Sequence, residues 1–170
     1  MSDIDEPMLG SSGPSPRDQP GDTVEKQIRR LIEMQSYAVL CTQADGQPYG
    51  GLVAYSFSPA LTQAAFVTLM TTRKYHQLLD CPQVAFVIDN RPDPTAEFMT
   101  IGAVTATGSA RHVESAEDLS PWLEQLTARY SYMADFFRSP SCAVFCVDIV
   151  RYFYVTRFQD VSEWIPQQTG

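Results

Sequence analysis

The sequence predicts a mainly β domain, a closed or partly closed antiparallel barrel with helices confined to its edges. Three observations carry that expectation. Six or seven apolar runs, two of them long, read as strands. The order strand, helix, strand occurs just once, too rarely for a doubly wound parallel sheet. An Asp45-Gly46 pair sits at the centre of a hairpin turn.

Residues 1–22 are rich in Ser, Pro and Gly and offer little to bury, so a disordered acidic tail is expected there, with residues 23–166 as the folded domain. Asp22 and Glu25 have capping-box spacing. Val24, Ile28, Leu31 and Ile32 share one helical face, which predicts a helix to about Gln35 that plugs a barrel end. Tyr37 to Thr42 reads as the first strand, Ala44 to Gln47 as the turn, and Tyr49 to Phe57 as the return, ended by Ser58-Pro59. Ala64 to Met70 follows as a third strand, then a short helix from Arg73 to about Asp80 and a strand from Val84 to Ile88. Prolines in Asn90-Arg91-Pro92-Asp93-Pro94 exclude a ladder and make it a loop. Phe98 to His112 reads as one long strand with bends at Gly102 and Gly108. A helix is predicted between Ser115 and Tyr130, where Ser120-Pro121 also suits an N-cap and first helical position. Ala143 to Ile149 and Tyr152 to Phe158 complete the strands.

Charge narrows the partners. Half of the net −8 belongs to residues 1–22, which hold Asp3, Asp5, Glu6, Asp18 and Asp22 against Arg17. No basic stripe exists to displace counterions, so nucleic acid is not an expected partner. No apolar run approaches the ~20 residues of a membrane span, and no basic start leads into an apolar stretch, so a cytoplasmic location is expected. The cysteines Cys41, Cys81, Cys142 and Cys146 form no CxxC pair and suit free thiols in a reducing compartment. With two histidines in the chain, a zinc site is not expected.

Chemistry concentrates in Val67-Thr68-Leu69-Met70-Thr71-Thr72-Arg73-Lys74-Tyr75. It reads as a strand, a hydroxyl-bearing turn, then two cations on a helix's first turn. Cations there oppose the helix dipole unless an anion sits at the same point. Free backbone N–H groups, the hydroxyls of Thr71 and Thr72, a guanidinium and an ammonium compose a phosphate cradle. A solvated turn whose charges face water is the alternative.

Taken in order, Gly46-Gln47-Pro48-Tyr49, Gly51-Leu52-Val53-Ala54, Thr68 with Thr72-Arg73-Lys74, Leu78-Leu79-Asp80-Cys81-Pro82-Gln83-Val84, and Ile88-Asp89-Asn90-Arg91 resemble the pyridoxamine-5'-phosphate-oxidase-like FMN-binding split barrels. The resemblance spans Val24 to Phe158 and implies a six-stranded antiparallel split barrel. It implies that Thr72, Arg73 and Lys74 hold the FMN phosphate, and that Gly51, Leu52 and Val53 lay backbone against the isoalloxazine ring. Gly50-Gly51 suits that approach, since a missing Cβ lets backbone meet a flat ring. Thr68 and Met70 would point toward ring and ribityl chain, and Asn90 toward a polar ring edge or into loop-turn chemistry.

The resemblance also implies a homodimer with flavin at the interface. Tyr152, Phe153, Tyr154 and Phe158 are interface candidates, and Trp164 would cover the partner's flavin or seal the barrel end. The family's Arg on the second strand is replaced by Gly51. Residues 161–166 lack the Arg and His that grip a pyridoxamine phosphate, which argues against vitamin B6 oxidation. The helix from Ser115 to Tyr130 and the run Tyr130-Ser131-Tyr132-Met133 read as a substrate-side lid. Distant relatives ligate heme, which makes His76 and His112 candidates beside their plainer reading as surface residues. The expected activity is that of an FMN-dependent oxidoreductase or flavin reductase acting on a small molecule. A flavin-binding or sensing protein without turnover and an F420-dependent reductase are the alternatives. No catalytic acid or base is identifiable.

Overall fold

A computed structural model of the chain describes residues 23–90, 101–156 and 160–167. The expected tail 1–22 with its Asp22 cap, loop residues 91–94, and strand positions Phe98 and Phe158 lie outside the described residues. Helix α1 (Val24–Met34) takes Thr23 as its N-cap, the Thr23 Oγ1 accepting from the Lys26 N–H at 3.3 Å. Glu25 is therefore second in the helix, one short of the capping-box position, and pairs with Arg29 at 2.9 Å instead.

Strands β1 (Ala38–Ala44) and β2 (Gln47–Val53) form the hairpin. Asp45 and Gly46 both have positive φ, 52° and 76°, the turn whose twist matches its strands. The return strand does not run unbroken to Phe57 as expected. β1 starts at Ala38 opposite Val53, so β2 runs out of partner there. After Ala54, β3 (Tyr55–Phe57) pairs with β4 (Gln63–Leu69) instead. Helix α2 (Arg73–Asp80), β5 (Gln83–Asp89), β6 (Ala103–Val113), α3 (Ala116–Arg129), a 3₁₀ turn at Ser131–Met133 and α4 (Ala134–Phe137) follow. Ser115 caps α3 and Pro121 lies inside it, so Ser120-Pro121 is not its start.

The two strands expected at 143–149 and 152–158 are one fifteen-residue strand, β7 (Cys142–Thr156), partnered in its second half by β8 (Asp160–Trp164), which the sequence reading did not foresee. Thr107 pairs with Arg151 but Gly108 with Ile149, so Val150 is an extra residue that bulges while the ladder continues. A Cβ on Gly108 would stand 2.3 Å from the Asp148 carbonyl oxygen; this crossing accepts glycine alone. The bulge also flips the side-chain phase of β7. Phe145, Val147 and Ile149 face inward before it, and Tyr152 does so after it. Tyr152 is thus a core residue rather than the expected interface aromatic, its hydroxyl donating to the Leu61 carbonyl.

All ladders are antiparallel, in the order β2-β1-β5-β6-β7-β4-β3 with β8 beside β7. One residue joins β2 to β3, so the two ends of that path are continuous in the chain. The sheet curls back on itself, and β2 and β3 act as one bent ribbon of a six-ribbon split barrel. Phe66, Phe86, Phe145, Tyr55 and Tyr152 fill its interior. Ile28, Leu31 and Ile32 of α1 close one end as expected, and Trp164 packs on Tyr152 at 5.3 Å, sealing the barrel. A second core lies outside the barrel, where Trp122, Leu126 and Phe137 of α3 and α4 cover Ala65, Val144 and Cys146.

Candidate functional site: a cationic shelf beside the second strand

Strand β4 hands over to α2 through a turn fixed by its own hydroxyls. Thr72 caps α2, accepting from the Tyr75 N–H at 3.3 Å, donating to the Leu69 carbonyl at 2.8 Å and meeting the Thr68 hydroxyl at 2.9 Å. That fully commits the Thr72 oxygen. Thr68 is 2% exposed and Val53 4%, so both side chains belong to the interior, while Met70 is partly buried against the barrel core. Thr71 is exposed at the turn.

The backbone N–H groups of Arg73 and Lys74 find no acceptor among the described residues, as the geometry of a helix start dictates. Both side chains reach across to β2. The Arg73 guanidinium lies 5.6 Å from the ring centroid of Tyr49. Lys74 lies over Gly51: a Cβ there would stand 3.3 Å from Lys74 Cε and 3.6 Å from Nζ. Lys74 Nζ also approaches the Leu52 carbonyl oxygen at 3.5 Å. Tyr49 and Gly51 share one face of β2 through the strand's period of two. Sequence reasoning missed Tyr49 as a site residue, although that spacing was there to show it.

No acidic side chain pairs with either cation among the described residues. Burial against β2 lowers the Lys74 pKa from the ordinary lysine value of 10.5. Two cations without counter-charges among the described residues, two free helix N–H groups and one exposed hydroxyl make a shelf suited to a phosphate.

Asn90 stands apart. Its side-chain oxygen accepts from the Gly102 N–H at 2.9 Å, extending the β5–β6 ladder by one rung. It lies four residues beyond Phe86, the β5 member of the Gly51 row, or about 13 Å along the strand. In the run read as a lid, Tyr130 is 2% exposed, its hydroxyl accepting from the Tyr55 N–H and from Arg129, whereas Tyr132 is 70% exposed. His112 is packed against Phe145 at 5.3 Å and edge-on to Tyr75, with Nδ1 3.4 Å from Glu114. His76 is exposed on α2.

A curled antiparallel sheet, end-capping helices and a strand-to-helix corner of this kind define a split-barrel protein. More particularly, the model of the pyridoxamine 5'-phosphate oxidase family matches residues 24–156, and the chain belongs to that family. No curated protein matches it. A heme binding protein from Mycobacterium smegmatis superposes with a TM-score of 0.74 at 14% identity, over 85% of this chain and 58% of that one. The heme storage protein HutZ from Vibrio cholerae gives 0.65 at 14% identity, covering 84% and 94%. A FAD-binding protein from Mesorhizobium loti gives 0.63 at 15%, covering 78% and 92%. At these identities the likeness is one of fold. No helix among the described residues is long and apolar enough to cross a membrane.

Proposed function

We propose that this chain is an FMN-binding flavoprotein of the cytoplasm that works as a homodimer and transfers hydride or electrons to a small molecule. The observation that carries it is the shelf: Arg73 and Lys74, unpaired with any described carboxylate, beside the open start of α2 and across from Gly51. The residues fit the group, because a doubly negative phosphate answers the cations and Gly51 sets no side chain of its own over β2, where the chain of Lys74 lies. Arg73, Lys74, Thr71 and the two helix N–H groups would hold the phosphate end; Gly51, Leu52 and Val53 would offer backbone to the ring. When bound, FMN supplies the redox chemistry, and this chain supplies binding and access.

Two features support the remaining parts. Outside the barrel, α3 and α4 cover Ala65, Val144 and Cys146, and neither helix reaches the other half of the sheet. Across that half run the rows Leu52-Val39-Val87-Thr105-Phe153 and Gly50-Cys41-Ala85-Thr107-Arg151, half-buried except at the exposed Gly50 and Leu52. Their single charge, Arg151, pairs with Glu163 at 3.1 Å. Charge depletion on a face holding a groove of about 570 Å³ and a Leu52 that is 71% exposed suits a subunit interface. All four cysteines are free, which suits a reducing compartment.

The test is the colour of the purified protein and the mass of its released chromophore. FMN is expected, and Arg73→Ala with Lys74→Ala should lower its affinity at least tenfold with the fold retained. Unchanged affinity overturns the assignment. A colourless protein that takes up F420 alone would make it a deazaflavin protein. Failure of the reduced flavin to pass electrons to any acceptor would make it a binding or sensing module. Heme is the second reading, favoured by the M. smegmatis and V. cholerae neighbours; a heme spectrum lost in His76→Ala or His112→Ala would establish it.

A further inference from the structure

Adjacent cations on one helical turn do not share one target here. Arg73 lies over Tyr49, toward the Asp45-Gly46 hairpin, and Lys74 lies over Gly51 with its ammonium turned to the Leu52 carbonyl. Positions 49 and 51 are two strand residues apart, about 6.6 Å. The lysine is the half-buried member of the pair, held against backbone that would face the ring, whereas the guanidinium is exposed. Its room exists because position 51 has no side chain.

We infer that the two cations divide the ligand: Arg73 serves the phosphate, and Lys74, admitted by Gly51, serves a polar atom on the ring or ribityl part. This rests on the flavin reading above and departs from it by taking Lys74 off the phosphate. Gly51 is then a positioning residue for a lysine rather than a bare strand bend.

Ligand truncation separates the two duties. FMN and riboflavin differ by the phosphate alone, so each variant is titrated with both, following flavin fluorescence. Arg73→Ala should weaken FMN tenfold or more and leave riboflavin within about twofold. Lys74→Met, which keeps the length and removes the charge, should weaken FMN and riboflavin by the same factor, about tenfold. Lys74→Arg, which restores a cation, should recover most of the riboflavin affinity. Lys74→Gln repeats the measurement should the methionine variant unfold. Loss confined to FMN in both single variants makes Lys74 a second phosphate ligand and overturns the division while leaving the flavin reading intact. A wild-type protein that binds neither flavin overturns both.

Discussion

Removing one oxygen atom from Tyr130 tests how the barrel corner is held. Strand β2 loses its partner at Val53, and Tyr55 re-enters the sheet beside Phe66, which leaves a backbone N–H and C=O of Tyr55 turned away from the ladder. The Tyr130 hydroxyl meets them, accepting from the Tyr55 N–H at 3.2 Å and lying 3.0 Å from its carbonyl oxygen. It also accepts from Arg129 Nε at 2.9 Å and lies 2.7 Å from the Ser36 carbonyl oxygen. Arg129 and the Tyr55 hydroxyl in turn bond the Ile32 and Gln35 carbonyls at the end of α1. Tyr130→Phe therefore strands a buried N–H, at about 1–3 kcal/mol, and breaks a charge-assisted bond of similar worth. The expected total is about 3 kcal/mol, a melting temperature lower by about 6–12 °C for a domain of this size. Urea unfolding should show the loss as a shifted midpoint at unchanged slope. Tyr132→Phe, at a 70% exposed site whose hydroxyl meets that of Tyr37, is the control and should leave the midpoint unmoved. A Tyr130→Phe protein within about 0.5 kcal/mol of wild type would refute the clasp.

Glycine substitutions should separate crowding from strain. Gly108→Ala meets backbone that cannot yield and should cost about 3 kcal/mol or more by urea unfolding, whereas Gly46→Ala, in open space at φ 76°, should cost about 1 kcal/mol. Alkaline titration should weaken FMN binding below pH 10.5, because a Lys74 whose pKa is lowered sheds its charge early; the drop should vanish in Lys74→Met. The folded state then binds fewer protons than the unfolded one between that lowered value and 10.5, so stability from this group rises with pH where binding falls. Cys146, pushed up to about 11 by burial under α3, should be the slowest thiol to react with an exposed-thiol reagent, and faster reaction than at Cys81 would contradict its packing.

Local signals carried much of this protein. The face of Ile28, Leu31 and Ile32, the Asp45-Gly46 turn, the helix at Arg73–Asp80 and the bend at Gly108 were legible because each is set by neighbours within a few residues. The cation pair was legible for the same reason, since charges on a first helical turn are anomalous wherever the helix lies. Distance defeated the rest. That Tyr152 faces inward depends on one bulged residue opposite Gly108, and that β8 is a strand depends on an edge of β7 left free where β4 ends. Nothing near Tyr130 in the chain announces the Tyr55 backbone that its hydroxyl satisfies. Only the fold brings the Gly102 N–H to the Asn90 side chain. The sequence by itself determined which residues turn, coil and extend, and that one helix start is cationic. Which face each strand buries, and the meeting of Lys74 with Gly51 across 23 residues of chain, were decided by the closing of the sheet, because side-chain phase and strand pairing are properties of partners remote in sequence.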